Sequence, residues 1–268
     1  MSEPIDAAAL RAALLAPAGP YSAVHVVAST GSTNADLRVA AAEGAADRTV
    51  LLAEEQTSGQ GRRGRSWTSP PGAGIYLSVL LRPSGVAPER LGSLAVVAGL
   101  AVLEVARSVG VEAVLKWPND MLAGDGKLAG VLSELVHDAP EPAVVLGIGL
   151  NVHPLGDVEP GPGGLRAVSL AEAGARDPDR TALTTSLLHA LHEREQAWRA
   201  AGGDLSAAGL LDAYRAACAT LNSRVRVLLP DGELEGEAVD IDRTGQLVVR
   251  TADGSTTTVF AGDVVHVR

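Results

Sequence analysis

The sequence predicts an α+β fold: a mixed β-sheet packed with helices, followed by a small all-β domain. Three observations predict it. Apolar strand-like runs and helical runs alternate up to about residue 218, as a helix-covered sheet requires. From Arg224 the texture changes to short β segments separated by turn residues, the pattern of a small closed barrel. Hydrophobic residues make up 46% of the 268 against 20% charged, enough apolar material for a buried core.

Each element follows from local pattern. Residues 5–16 (IDAAALRAALLA) read as an amphipathic helix, and 23–28 (AVHVVA) alternate as a strand. TGSTNADLRVAAAEG places capping residues before a helical run that stops at Gly44. TVLLAEEQ (49–56) is a strand entering a glycine/arginine loop, and GIYLSVLLR (74–82) returns from it. Residues 88–109 form the longest helical pattern, opened by Pro88 and closed near Gly110. Its middle, LAVVAGLAVL, is apolar all round and therefore buried. VLKW, KLAGVLSELV and AVVLGIGLNV supply further strands, and the Gly/Pro-rich stretch 154–164 is a loop. Helices over 178–200 and 204–218 complete the main body. RVRVLLP, a turn at Asp231-Gly232, ELEGEAVDID, QLVVRT, STTTVFA and DVVHVR then build the β domain. The expected organisation is an N-terminal helical segment (1–20), a main domain (21–220) and a C-terminal β domain (222–268).

Composition excludes several classes. The 22 basic and 32 acidic residues give a net charge of −10, against wholesale nucleic-acid binding. Cys218 is the single cysteine, which rules out an intrachain disulfide or a thiolate metal cluster. His189 and His192, three apart, read as a solvated helix face rather than a metal pair. The acidic start MSEPIDAAAL is not a secretory signal, and no apolar run is read as reaching the roughly 18 residues of a membrane span. A soluble cytoplasmic protein is expected.

The basic residues hold a rarer signal. Twenty of them are Arg, and the two lysines, Lys116 and Lys127, lie eleven positions apart. Only four Asn occur: Asn34, Asn119, Asn151 and Asn222. An ammonium is a compact point charge and a guanidinium a planar fork, so the two cannot always be exchanged. Chance survival on the surface is the plain alternative. Between Glu55 and Glu89 there is no acid, while Arg62, Arg63, Arg65 and Arg82 carry +4, leaving −14 for the rest. GQGRRG (59–64) matches the letters of the dinucleotide fingerprint, but RSWTSPPG follows it and no helix can open there. A glycine- and arginine-rich loop in an acidic protein reads as an anion site, with backbone N–H groups and guanidinium forks as the grip. A solvated flexible loop and a nucleic-acid patch compete with that reading; only Trp67 could stack in the latter.

TGSTN (30–34), EEQTSGQGRRGRSW (54–67), LKWPND (115–120), GKLAG (126–130) and GIGLN (147–151) together resemble one family, the bacterial biotin–protein ligases. KWPND followed about ten residues later by GKLAG is the specific pair, and both lysines fall within it. The resemblance implies a mixed-sheet catalytic domain with an SH3-like C-terminal barrel. It also implies a two-step reaction in which biotin and ATP form biotinyl-5′-adenylate and pyrophosphate, and a carrier lysine then takes the acyl group and releases AMP. Joining two anions calls for cationic clamps and Mg²⁺ more than for a covalent nucleophile.

The resemblance also implies roles, each beside a plainer alternative. Ser32, Thr33 and Asn34 match the segment that hydrogen-bonds the biotin ring; a helix cap is the alternative. Gln56 matches a further biotin position, or is simply an exposed polar residue. Gly59, Gly61, Arg62, Arg63, Gly64 and Arg65 match the loop over biotin and adenylate, with Arg62 retaining the adenylate and Arg65 on the ATP phosphates. Gln60 stands where the family commonly has Arg, so contact there through the backbone would preserve binding and contact through the side chain would not. Trp67 is a lid or, favoured slightly, core. Lys127 matches the lysine beside the biotin carboxylate and α-phosphate, and Lys116 a second phosphate-side cation. Asp120 matches a Mg²⁺ ligand or an orienter of the incoming amine. Asn119 and Asn151 match nucleotide positions, although Pro-Asn-Asp is also an ordinary turn. Gly130, Gly147 and Gly149 allow close backbone approach or mark bulges.

The implied partner is the biotin carboxyl carrier domain of an acyl-CoA carboxylase, met by a monomer or homodimer. About 20 residues precede the first strand, too few for the three-helix DNA-binding module of the family's repressors, so no DNA contact is expected. A lipoate or octanoate ligase or transferase of related fold is the main rival, disfavoured by RRGR, KWPND and the polar S-T-N. A non-catalytic biotin-binding module would have no need of Lys116, Asp120 and a phosphate clamp together.

Overall fold

A computed structural model of the chain describes residues 3–139, 141–160, 165–229, 232–260 and 262–266. Seven strands form the main sheet: β1 (Ala23–Val27), β2 (Thr49–Ala53), β3 (Gly74–Leu81), β4 (Val114–Lys116), β5 (Asp120–Ala123), β6 (Gly126–Val136) and β7 (Ala143–Asn151). Their spatial order is β1-β2-β3-β7-β6-β5-β4. β1 runs parallel to β2 and every other pair is antiparallel, so the sheet is mixed as expected. Five helices pack on it: α1 (Ala7–Leu14), α2 (Thr33–Ala42), α3 (Leu94–Ser108), α4 (Arg180–Ala200) and α5 (Leu211–Ala217).

Strand alternation divides the sheet into two unlike faces. Ile75, Leu77 and Val79 of β3 and Leu146, Ile148 and Leu150 of β7 point into the main core, where α1, α3, α4 and α5 bury Leu10, Val97, Leu187 and Tyr214. Among the described residues the opposite face carries only α2, whose Leu37 and Ala41 pack on Leu51, Leu80 and Val145. One helix cannot cover seven strands. The uncovered remainder of that face is where a cavity forms.

Three expectations need correction. The pattern over 88–109 is not one helix: Pro88–Ser93 is a 3₁₀ segment and α3 begins at Leu94. Gly92 weakens the α form at the join, and the Ser93 hydroxyl, which donates to Arg90 O (2.6 Å), accepts from buried Trp198 Nε1 (2.7 Å). By length and composition this 21-residue stretch is also apolar enough to cross a membrane, contrary to the sequence reading, but 72% of its apolar window is buried in the fold. The predicted helix over 204–218 shrinks to α5. Asp204 accepts from Ser206 N and Ala207 N (3.0 and 3.1 Å), and Gly209 is left-handed at φ 71°, so the chain turns before helix can propagate.

The C-terminal sheet is antiparallel and has five strands: β8 (Arg224–Leu229), β9 (Gly232–Ile241), β10 (Leu247–Arg250), β11 (Thr256–Val259) and β12 (Asp263–His266), in the order β11-β10-β9-β8-β12. The separate all-β unit is as the sequence predicts. Asp231 of the expected turn and residues 161–164 of the Gly/Pro-rich loop lie outside the described residues. Val225, Val227, Ile241 and Leu247 join the same apolar cluster as the main sheet, so the two sheets share one core.

Candidate active site

On the uncovered face the sheet replaces Val, Leu and Ile with small and polar residues. Gly147 and Gly149 come from β7, Lys127, Gly130 and Leu132 from β6, and Asp120 and Leu122 from β5; all line one cavity of about 850 Å³, a size suited to small-molecule ligands. Lys127 and Gly130 are three apart and would sit on opposite faces of a regular strand. An extra residue at Leu128, where Leu122 pairs with Lys127 but Met121 with Ala129, restores both to the cavity face.

One end of the cavity is neutral and polar. Ser32 caps α2, its Oγ accepting from Ala35 N at 3.4 Å, so Ser32, Thr33 and Asn34 sit at the positive end of the helix dipole. Thr33 N and Oγ1 donate to Gln56 Oε1 (2.9 and 3.1 Å), and Gln56 Nε2 donates to Ser69 Oγ (3.1 Å). Asn34 Nδ2 donates to Glu134 Oε2 at 2.7 Å. Ser78, fully buried on β3, donates to Asn34 Oδ1 (2.5 Å) and lies 2.7 Å from Thr33 Oγ1. A Cβ on Gly147 would fall 2.2 Å from Asn34 Oδ1, so glycine there makes room for that side chain. Ser32 thus caps α2, and Ser32, Thr33 and Asn34 all line the cavity.

The other end is charged, and the lining sets Lys116, Lys127, Arg62 and Arg65 among Asp120, Asp125, Glu159 and Asp263. β4 and β5 form a hairpin across Trp117–Asn119 that sets Lys116 opposite Asp120. Lys127 Nζ lies 2.7 Å from Asp120 Oδ1, an ion pair without hydrogen-bond alignment, and 5.3 Å from the centroid of the Trp67 ring. Asn119 Nδ2 donates to Val131 O (2.8 Å), while its Oδ1 accepts from an Arg62 guanidinium nitrogen (3.4 Å). Asn151 spends its amide N–H groups on Lys127 O (3.2 Å) and Val168 O (3.1 Å). Its Oδ1 stays buried, unpartnered, in the cavity wall. That orphan acceptor suits a ligand donor.

The glycine/arginine loop is a folded hairpin. Trp67 N donates to Gly59 O (2.8 Å), Gln60 bridges Ser66, and Gly61 N donates to Arg65 O (2.7 Å). Its tip turns through Arg63 (φ 57°) and Gly64 (φ 73°), both left-handed as tight hairpin tips require. Arg62 is half-buried, and burial lowers its guanidinium pKa while the charges of Asp263 and Asp120 oppose that. Gln60 is exposed with its backbone paired to Ser66, and it lines the cavity. Trp67 corrects the sequence reading. It is half-buried rather than core, and its ring lies against Gly149, whose Cβ would come within 2.5 Å of Trp67 Cε2. A wide indole fits only above a glycine, so Trp67 forms a cavity wall.

A divalent cation finds little protein to bind. Among the described residues no three His, Cys, Asp or Glu gather as a metal site, and Asp120 is already paired with Lys127. The lining's carboxylates, Asp120, Asp125, Glu159 and Asp263, stand beside four cations, Lys116, Lys127, Arg62 and Arg65, which fits Mg²⁺ that is carried mainly by substrate phosphates, its usual mode.

Comparison with known proteins agrees with this geometry. Residues 26–151 match the model of the biotin/lipoate A/B protein ligase family, and residues 220–267 match the biotin protein ligase C-terminal domain. A biotin–[acetyl-CoA-carboxylase] ligase of Mycobacterium tuberculosis is 45% identical over 99% of this chain and 97% of its own. The chain belongs to the biotin/lipoate A/B protein ligase family. Within that family, a ligase of the same name from Paracoccus denitrificans is 33% identical over 85% of this chain and 95% of its own. Among solved structures, the biotin protein ligase from Aquifex aeolicus in complex with biotin and ATP superposes with a TM-score of 0.77 at 27% identity. It covers 92% of this chain and 100% of that one.

Every residue singled out in the ligase motifs of the sequence lines the one cavity or its loop. Sequence reasoning missed Ser78 and Glu134, which hold Asn34 from beneath, and Asp263, on which the loop rests. Ser78 did leave a signal, as the one hydroxyl-bearing aliphatic residue in GIYLSVLL. Asp263 left none, since it meets the loop from 200 residues away.

Proposed function

We propose that this chain is an ATP-dependent biotin–protein ligase that makes biotinyl-5′-adenylate and transfers biotin to a lysine of the biotin carboxyl carrier domain of an acyl-CoA carboxylase. The observation that carries the reading is the polarity of one cavity. Neutral hydroxyl and amide groups at one end suit the ureido ring of biotin, and cations at the other suit a carboxylate meeting a triphosphate. In the first step a biotin carboxylate oxygen bonds to the α-phosphorus, and the bond from that phosphorus to the bridging oxygen breaks, releasing pyrophosphate. Lys127, a point charge between Trp67 and Asp120, faces both anions and stabilises the charge that builds between them. Lys116, Arg62 and Arg65 take the phosphates, and Asn119 and Asn151 the nucleotide. Mg²⁺ bound with ATP would spread the phosphate charge, beside Asp120.

In the second step the carrier amine attacks the acyl carbon and AMP leaves. Asp120, once Lys127 turns to the phosphate, is the carboxylate available to orient that amine. Ser32, Thr33, Asn34 and Gln56 hold the ring, with Gln60 contributing through its loop backbone and Gly130 leaving space beside Lys127. The test is ATP–pyrophosphate exchange with Mg²⁺. We expect exchange that depends on biotin and is absent with lipoate. Exchange with lipoate alone would move the chain to the other branch of its family, and exchange with neither acid would reject the adenylate chemistry.

A further inference from the structure

The amide of Asn34 has no freedom to turn over. Its Nδ2 donates to Glu134 Oε2 (2.7 Å) and to Leu132 O (3.4 Å), which spends both amide protons on acceptors. Its Oδ1 accepts from the Ser78 hydroxyl at 2.5 Å. That oxygen lies over the cavity floor, 2.2 Å from where a Cβ on Gly147 would stand. Glu134 is not itself in the cavity lining. It stands behind Asn34 on β6, 25% exposed, with Arg38 of α2 3.4 Å from its other oxygen. Resting on the biotin reading above, we propose that Glu134 is a positioning residue that makes the ring end of the cavity selective for ring N–H groups, by forcing Asn34 to present its oxygen.

An Asn amide has nearly the same shape in either sense, so the chemistry of its neighbours decides which way it points. Turned over, Asn34 would set Oδ1 against two acceptor oxygens, those of Glu134 and Leu132. A part-buried carboxylate makes that arrangement costly, whereas Ser78 on the other side could accept as readily as it donates. Glu134 is therefore the group that fixes the direction. With both Nδ2 protons committed and one Oδ1 lone pair given to Ser78, Asn34 has a single acceptor site left for a ligand. A cyclic urea supplies an N–H to fill it. A ring carrying oxygen at the same place would bring lone pair against lone pair, which a polar site rejects more strongly than a missing methylene. Arg38 is half-exposed and balances the charge of Glu134 without entering the wall.

Calorimetric binding to the full chain without ATP tests this, with biotin and with the cyclic carbonate in which oxygens replace both ureido N–H groups. Wild type should bind biotin about 100-fold or more tightly than the carbonate. Glu134→Ala should weaken biotin about tenfold, the scale of one aimed hydrogen bond, and leave the carbonate where it was, so the preference shrinks by the same factor. Glu134→Gln keeps an amide oxygen for Asn34 Nδ2 and should hold the preference within about twofold of wild type. Equal losses for both ligands in Glu134→Ala would show a residue that only props the wall and would overturn the proposal, as would a Gln variant as poor as the Ala variant. Should Glu134→Ala fail to fold, Glu134→Asp withdraws the same acceptor by one methylene and should shrink the preference about threefold or more; an unchanged preference there overturns the proposal. Wild type that binds no biotin would remove the proposed function and the role of Glu134 together, whereas biotin bound with an unaltered preference in the variants removes the role alone.

Discussion

Lys127 shows why a chain that otherwise writes Arg has kept a lysine. Its Nζ sits 2.7 Å from Asp120 Oδ1 with the Trp67 face 5.3 Å away, and its Cε would lie 3.3 Å from a Cβ on Gly130. That pocket admits an ammonium but crowds a planar guanidinium, whose charge would be spread over three nitrogens. Lys127→Arg should therefore lower biotin-dependent ATP–pyrophosphate exchange about 100-fold, the scale of losing one aimed charge at a reacting centre. Melting should change little, because the side chain is 29% exposed and its ion pair contributes little to stability. Exchange at the wild-type rate would return Lys127 to the ordinary surface residues. Gly147 makes the complementary case. Gly147→Ala would drive a methyl to 2.2 Å from Asn34 Oδ1, so Asn34 must swing away, and the KM for biotin should rise about tenfold or more while the KM for ATP holds.

At the scale of elements, the proposed function gives the first turn of α2 two duties, capping and holding biotin, and one substitution separates them. Glycine at an N-cap costs only a few tenths of a kcal/mol relative to serine, whereas alanine costs about 1 kcal/mol. Ser32→Gly should thus melt close to wild type but show a raised KM for biotin, while Ser32→Ala loses both. A biotin KM unchanged in Ser32→Gly would leave Ser32 as a cap alone. The same contrast between local and distant causes explains what the sequence disclosed. Ser32–Asn34, Lys116, Asn119 and Asp120 were legible because the short segments TGSTN and LKWPND carry the resemblance, and their local alternatives, a cap and a hairpin turn, act over a few residues. The extra residue at Leu128 was not, because apolar Leu128 next to Ala129 reads like any strand interior. Nor was the late start of the helix expected over 204–218, where Asp204 and Gly209 turn the chain first. Trp67 was misread as core because hydrophobicity alone cannot tell a cavity wall from an interior.

At the scale of the molecule, the C-terminal sheet belongs to the site as well as to the core. Leu228, Asp263, Val264 and Val265 line the cavity, and Gly245 O accepts from the indole N–H of Trp117 at 2.9 Å, bracing the turn between Lys116 and Asp120. Arg215 of α5 ties the sheet down through Asp240 (2.8 Å) and Ile241 O (2.9 Å). With Trp117 2% exposed and the apolar cluster continuous across both sheets, the whole chain should unfold in one calorimetric transition. Two separated transitions would show that the small sheet folds by itself and that its contacts with the site are incidental. Removing residues 222–268 should expose Trp117, shift its fluorescence to longer wavelength and raise the KM for ATP well above any change for biotin, because the lost lining lies at the charged end. A milder variant separates this from misfolding. Val265 is 41% exposed and lines the cavity, so Val265→Asp leaves packing nearly intact and adds a negative charge at the end proposed for the phosphates. The KM for ATP should rise about fivefold in that variant, more at low salt than at high, with the KM for biotin unmoved. Equal effects on both substrates would place the C-terminal sheet outside the nucleotide end of the cavity.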